Sequence, residues 1–359
     1  MNKDTQRLIL ASVLIFLVVI LTKPIFEALG YSMDSQPEEV QEPRGKEQNE
    51  NFNNDLDVLK TNESLDNDLS SSAIDTTSIQ KANSIIENTE ITIKTNLYTA
   101  IISNISGGTL VGAELNDYKK DNELMVELKP FDSNKYCNPC LKDNNGPITE
   151  FIYVDQDLVI DATTASHTLR FEYNKDNKSI IKNVTFYPNS YSIDHDYELK
   201  GNWDSSISLA WENGLQPTET NIQSDVIDAV GASIKPLNEG KETLRISGPG
   251  ESASNADNNV LINQAIDWAA VQTKYFIIAL IPDASSRPSQ AKISGKSIDG
   301  FNDQRFVQSY DINLTYQNIN KIQASIYLGP LDNSLLESVN PSLHNAIYWG
   351  WGFIQPIAK

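Results

Sequence analysis

Glu90-Ile91-Thr92-Ile93-Lys94-Thr95-Asn96-Leu97-Tyr98-Thr99-Ala100-Ile101 is the stretch on which the fold turns. Ile91, Ile93, Thr95, Leu97, Thr99 and Ile101 alternate with Thr92, Lys94, Asn96, Tyr98 and Ala100. Successive side chains of a strand point to opposite faces, so this period of two predicts a half-buried strand. Gly107-Gly108 marks a turn, and Thr109 to Leu115 predicts a second strand. The pattern recurs at Phe151 to Val154, Leu158 to Ile160, Thr168 to Tyr173, Ile180 to Phe186, Tyr191 to Leu199 and Ser206 to Trp211. Further strands fit Ala270 to Ile281, Gln290 to Ile293 and Lys321 to Leu328. Asn, Asp, Gly and Pro separate nearly all of them. Many short strands at regular spacing predict an all-β, antiparallel sandwich. No helix-strand alternation appears, which argues against a parallel α/β fold. The span is large for one sandwich, and two stacked long sheets would hold it. Leu331 to His344 is the best helix candidate, with Leu335, Leu336, Val339 and Leu343 on one face. The folded domain is placed at residues 89–345.

Both flanks read differently. Lys3 and Arg7 precede an apolar run from Leu8 to Leu21. That run is short for a membrane span, but Ile25-Phe26 and Ala28-Leu29 continue it, and Lys23 can snorkel to the interface. No small-x-small cleavage site follows closely. An uncleaved transmembrane signal anchor is expected over residues 1–30, with a cleaved signal as the alternative. The basic residues put the N-terminus in the cytoplasm. Residues 31–88 are rich in Asn, Asp, Glu, Ser and Gln and nearly free of aromatics. They cannot bury enough apolar surface to order themselves, so a disordered acidic linker is expected. Tyr348-Trp349-Gly350-Trp351-Gly352-Phe353-Ile354-Gln355-Pro356-Ile357-Ala358-Lys359 is apolar, aromatic and free of acidic charge. Trp and Tyr favour the bilayer interface. Residues 346–359 are therefore expected to lead into a second membrane helix, with Tyr348, Trp349, Trp351, Phe353 and Pro356 at the interface. Any segment after that helix is expected to be missing from the chain.

The chain has 359 residues and a net charge of −20. From Asp34 to Glu90, 14 acidic residues face 4 basic ones, so half of the charge lies in that stretch. Such an acidic chain lacks the clustered Lys and Arg that nucleic acid requires. Broad electrostatic docking on anionic lipid is disfavoured for the same reason.

Candidate chemistry is sparse. Cys137-Asn138-Pro139-Cys140 holds the only two cysteines. A structural loop disulfide is the preferred reading, because turn chemistry rather than a helix follows the pair. Free thiols and a redox pair stay open. Asp194-His195-Asp196 is the one acid-His cluster. On a strand its carboxylates share one face and His195 takes the other, so no acid-base pair is expected. Asp155-Gln156-Asp157 lacks the further oxygen ligands of a calcium loop and reads as a turn. Gly295-Lys296-Ser297 lacks the earlier Gly of a phosphate loop. No cofactor, metal or catalytic residue is expected. Trp203, Trp211 and Trp268 are expected in the core.

Ile326-Tyr327-Leu328-Gly329-Pro330-Leu331 followed by Gly350-Trp351-Gly352-Phe353-Ile354-Gln355-Pro356-Ile357 resembles the YidC-type membrane protein insertases of bacterial inner membranes. The Met1-Asn2-Lys3-Asp4-Thr5 start with its apolar run agrees, as does Ile91 to Ile101 with Gly107-Gly108 and Leu115. So do Trp211-Glu212-Asn213-Gly214-Leu215 with Glu219, and Ile266-Asp267-Trp268-Ala269 with Lys274-Tyr275-Phe276 and Ile281-Pro282. The resemblance implies a periplasmic β-supersandwich like that of galactose-mutarotase-type proteins, with helices at its C-terminal end. It implies work on nascent inner-membrane proteins at the lipid bilayer, alone or beside the Sec translocon. The insertion groove and its Arg belong to later helices, beyond this chain. The competing readings are a membrane-anchored carbohydrate-binding or sugar-modifying sandwich and a passive tethered interaction domain.

Overall fold

The computed structural model describes residues 87–347, except 121, 220–228, 247–249, 251, 253–255 and 300–305. The expected anchor at 1–30, nearly all of the expected linker at 31–88, and Tyr348, Trp349, Trp351, Phe353 and Pro356 lie outside the described residues. Among the described residues no helix is long and apolar enough to cross a membrane.

Among the described residues, twenty strands build the domain. They are β1 (Glu90–Lys94), β2 (Tyr98–Ser103), β3 (Thr109–Lys119), β4 (Met125–Leu128), β5 (Cys140–Asp143), β6 (Gly146–Pro147), β7 (Ile152–Tyr153), β8 (Val159–Asp161), β9 (His167–Lys175) and β10 (Lys178–Phe186). After them come β11 (Ser192–Lys200), β12 (Ser206–Trp211), β13 (Gly231–Pro236), β14 (Glu242–Leu244), β15 (Asn259–Ile262), β16 (Ile266–Gln272), β17 (Phe276–Pro282), β18 (Gln290–Asp299), β19 (Phe306–Gln317) and β20 (Lys321–Pro330). They form a nine-stranded sheet ordered β14-β13-β16-β17-β20-β11-β10-β9-β7, a six-stranded sheet ordered β15-β18-β19-β12-β5-β6, and a five-stranded sheet ordered β4-β3-β2-β1-β8. One contiguous core draws side chains from all three. The fold is an all-β supersandwich with a single C-terminal α-helix among the described residues, α1 (Asn333–Val339).

Period two explains most strands. In β10 the inward positions Ile180, Lys182, Val184 and Phe186 are all buried, while the residues between them are half-buried. β17 has all seven residues buried, the mark of a strand covered on both faces. Trp211 and Trp268 are fully buried, and the half-buried Trp203 packs against the core.

Some expectations need correcting. Ile91 to Ile101 is two strands, β1 and β2, paired antiparallel, with Tyr98 and Ala100 rather than Thr99 and Ile101 buried after the turn. Ala270 to Ile281 is likewise a hairpin, not one strand. Thr273 turns it: its backbone N–H donates to the Phe276 carbonyl at 2.8 Å and its Oγ1 accepts from the Phe276 N–H at 3.2 Å. A hydroxyl-closed turn leaves no Gly or Pro in the sequence to announce it. The helix is shorter than Leu331 to His344, because a residue before proline is pushed out of the α region. Asn340, preceding Pro341, is extended at φ −146°, and a separate 3₁₀ turn covers Leu343–Ala346. There are three hydrogen-bonded sheets where two were expected. The one exception to antiparallel pairing in the described ladders is β8, which runs parallel to β1.

Candidate functional site: a C-terminal clamp, a cysteine loop and an interior lysine

β16 delivers Asp267 to the place where the domain's last turn docks. The strand alternates, so Trp268 enters the core while the half-buried Asp267 faces the turn. Its Oδ2 accepts from the Ser342 hydroxyl at 2.5 Å. Its Oδ1 accepts from Arg287 Nη1 at 3.2 Å and from Asn340 Nδ2 at 3.3 Å. Trp268 Nε1 donates to the same Ser342 hydroxyl at 2.8 Å. One carboxylate thus ties β16 to both residues flanking Pro341.

The rest of the clamp serves unpaired helix ends. Asp332 caps α1 by accepting from the Leu335 N–H at 3.0 Å. The Ser334 hydroxyl, and after it that N–H, hold the Asp332 carboxyl below its ordinary value. At the other end Lys241 Nζ donates to the carbonyls of Asn345 at 2.5 Å and Ala346 at 3.3 Å. Those carbonyls have no partner within the turn, so the half-buried Lys241 ammonium is a suitable donor. Burial, and secondarily the charge of Arg245, pull the Lys241 pKa down. Leu336, Leu343 and Ala346 are buried beneath this network. The chain's course is therefore fixed as far as Ile347, directly before the aromatic run.

The cysteine loop is stitched to two sheets. Cys137 and Cys140 face each other as a disulfide, with Cα atoms 4.5 Å apart and both residues fully buried. The Asn138–Pro139 peptide between them is cis. Asn138 donates through its backbone N–H to Thr109 Oγ1 at 2.7 Å and accepts from the Leu110 N–H at 2.6 Å, joining the start of β3. Its Nδ2 donates to the Glu212 carbonyl at 2.5 Å, just past β12. A strand, not a helix, begins at Cys140.

Inside the sandwich lies a lysine that sequence reading passed over. Lys182 and Tyr197 are direct partners in the β10–β11 ladder, so both point inward. Lys182 is fully buried, its Nζ donating to the Ser106 carbonyl at 3.3 Å and lying 4.9 Å from the Tyr197 ring centroid. No carboxylate accompanies it in these contacts, and burial pulls its pKa down to about 7. Gly107 makes room: a Cβ there would stand 2.9 Å from Lys182 Cδ, and the residue's φ is +72°. The signal was legible, since position 182 shares the parity of Ile180, Val184 and Phe186. His195 also faces inward, whereas Asp194 and Asp196 lie on the opposite face. Burial first, then the Lys182 charge, hold His195 well below its ordinary value. Asp194 accepts from Tyr187 and Ser325, and Asp196 from Gln323. The cavity beside His195 and Asn138 is about 10 Å³, room for one water at most. The triplet thus forms no acid-base site. Asp155 accepts from the Arg170 N–H at 3.1 Å, as a turn residue does.

Residues 90–359 match the family described as the YidC periplasmic domain. The chain belongs to that family. Proteins named membrane protein insertase YidC align with it from Maridesulfovibrio salexigens, at 25% identity over 97% of this chain and 60% of that protein. The protein of that name from Chlorobaculum tepidum is 25% identical over 75% of this chain and 46% of its own length. That from Chlorobium limicola is 26% identical over 48% of this chain and 29% of its own length. The chain thus spans less than two thirds of the length of each of these YidC relatives. Among solved structures, a galactose mutarotase related enzyme from Lactobacillus acidophilus overlays at TM-score 0.36 and 8% identity, covering 67% of this chain and 97% of that one. A likeness that distant says nothing of activity.

Proposed function

We propose that the chain is the anchor and periplasmic part of a membrane protein insertase of the bacterial inner membrane. In this reading residues 1–30 hold it in the bilayer with the N-terminus in the cytoplasm, and the sandwich stands in the periplasm. The family match over residues 90–359, with one YidC insertase aligned along nearly the whole chain, carries the proposal. The sandwich assists the integration of nascent inner-membrane proteins, alone or beside the Sec translocon, and performs no catalytic step. A bilayer core rejects unpaired charge and polar backbone, so the crossing itself needs a sheltered polar route through membrane helices. The clamp fits a supporting role. It fixes the chain's direction immediately before Tyr348, where the aromatic run would meet the lipid interface. A disulfide between Cys137 and Cys140 suits the oxidising periplasm.

Complementation tests this. In cells depleted of their own insertase, the complete gene is expected to restore growth and the insertion of a reporter membrane protein. Residues 1–359 alone are expected to restore neither. Rescue by residues 1–359 would overturn the division of labour, and failure of the complete gene would overturn the insertase reading.

A further inference from the structure

The chain between the nine-stranded and five-stranded sheets carries large aliphatic side chains in the open. Ile152 is 60% exposed, Val154 45%, Leu158 50% and Val159 63%. β7 is the last strand of one sheet and β8 the last strand of the other. The strip continues across the five-stranded sheet. Val159 is aligned with Thr92, and Thr92 with Ile101, which is itself 38% exposed. Aligned residues share a face, so these form one row.

The strip is preformed. β7 is laddered to β9, and the Val154 N–H donates to the Arg170 carbonyl at 3.0 Å. The Tyr153 ring lies 5.2 Å from that of Phe171, and its hydroxyl donates to the Asp157 carbonyl at 3.0 Å. On the far side the Leu158 carbonyl accepts from the Thr92 N–H at 2.8 Å. Strand edges present unpaired backbone groups, and proteins ordinarily blunt them with lysine, proline or a covering element. Here β7 and β8 are short, at two and three residues, which limits pairing to a few backbone bonds, and they carry Ile and Val rather than Lys or Pro. The charge of the edge is mainly negative: Asp155, Asp157 and Asp161 are exposed, with Lys94 aligned to Asp161 as the one cation in the ladder beside them. Among the described residues none of the three enters an ion pair, while the nearby Arg170 is bound to Glu172 at 2.7 Å.

We propose that the β7–β8 edge is a docking strip for an extended polypeptide segment of another protein, one that alternates apolar with basic side chains. Open strand edges select an extended backbone, which adds as a further strand. The aliphatic row selects apolar side chains, and the three carboxylates select Lys or Arg over Asp or Glu. This goes beyond the insertase reading and does not depend on it.

The test uses the full chain in lipid nanodiscs and a fluorescent synthetic repeat of Val and Lys, read by anisotropy. The expected result is saturable binding that weakens at high salt, with no binding of the matching repeat of Val and Glu. V154K and V159K, both surface changes whose folding is checked by circular dichroism, are each expected to weaken binding about tenfold or more. D155N/D157N is expected to weaken it and to flatten the salt dependence. Equal binding of both repeats, or unchanged binding by V154K/V159K, would overturn the proposal. Two other outcomes would also overturn it by assigning the strip elsewhere. One is a concentration-dependent dimer lost in V159K, which marks a second copy as the occupant. The other is binding of the charged-lipid vesicle surface, without peptide binding, lost in the same variant.

Discussion

Replacing Lys182 by methionine should stabilise the domain, and by an amount that depends on pH in one direction only. The side chain is fully buried, with a neutral carbonyl, an aromatic face and the inward His195 as its polar company. Its pKa falls from 10.5 to about 7. At about 1.4 kcal/mol per tenfold, keeping the group charged in the interior costs roughly 5 kcal/mol. The sign follows from proton counts. Between about 7 and 10.5 the unfolded chain holds the Lys182 proton and the folded chain does not. Stability therefore rises with pH across that window. The penalty is fully present below the folded value and gone above the unfolded one.

Lys182→Met removes this term and keeps the apolar stem. It also leaves the Ser106 carbonyl without its donor, a loss of about 1 kcal/mol. The expected net gain is roughly 3 kcal/mol near neutral pH, shrinking by about 2 kcal/mol towards pH 9. Urea unfolding of parent and variant at several values between pH 7 and pH 9 measures it. That range also avoids His195, which titrates well below 6.5 in the folded state. A variant less stable than the parent at pH 7, or an advantage that does not change with pH, would refute the reasoning. Either result would mean that water or a counter-charge reaches Nζ.

Three further perturbations test the other features. Asp267→Ala removes the acceptor shared by Ser342, Asn340 and Arg287, and should cost roughly 3 kcal/mol in thermal unfolding. It should also expose the stretch around Asn345 to protease before the sandwich itself unfolds. Cys137→Ala with Cys140→Ala opens a four-residue loop, for which chain entropy gives about 2 kcal/mol. A reductant should lower the parent's unfolding free energy in urea by a similar amount, and an unchanged value would show that the thiols are free. Gly329→Ala would set a Cβ 2.7 Å from Tyr191 Cγ, whose ring also packs on Tyr327. That overpacking should cost about 1–3 kcal/mol, and a cost near zero would show that Tyr191 can move.

How much of this was legible in the chain depends on whether the signal was local. Strand parity is local: Ile180, Val184 and Phe186 declare an inward face, and β10 has it. The same parity marks Lys182, and a lysine at an inward position is the one odd residue of that strand. β19 alternates as clearly, with Tyr310, Ile312, Leu314 and Tyr316 buried, yet went unassigned. Its neighbour β18 was seen only in part, because Gly295 and polar residues dilute the rest of that strand. The Thr273 turn hides because its closure is made by one hydroxyl rather than by backbone-specialised residues. Pro341, by contrast, states in the sequence where α1 must stop.

The sites were less legible because their chemistry is assembled across distance. Asp267 takes hydrogen bonds from residues 20, 73 and 75 positions away. No spacing rule connects them, and the segment Ile266-Asp267-Trp268-Ala269 signals only through resemblance. Edge position is a property of topology, so Ile152 and Val159 read as ordinary strand residues until the sheet order places them last. The same topology explains why Asp194-His195-Asp196 carries no catalytic promise. A strand sends its middle residue into the interior and its two carboxylates to partners outside, separating groups that a catalyst would bring together. The C-terminal clamp and the proposed docking edge lie on separate elements, β16 with the last turn and β7 with β8, so a variant of one tests it without changing the other.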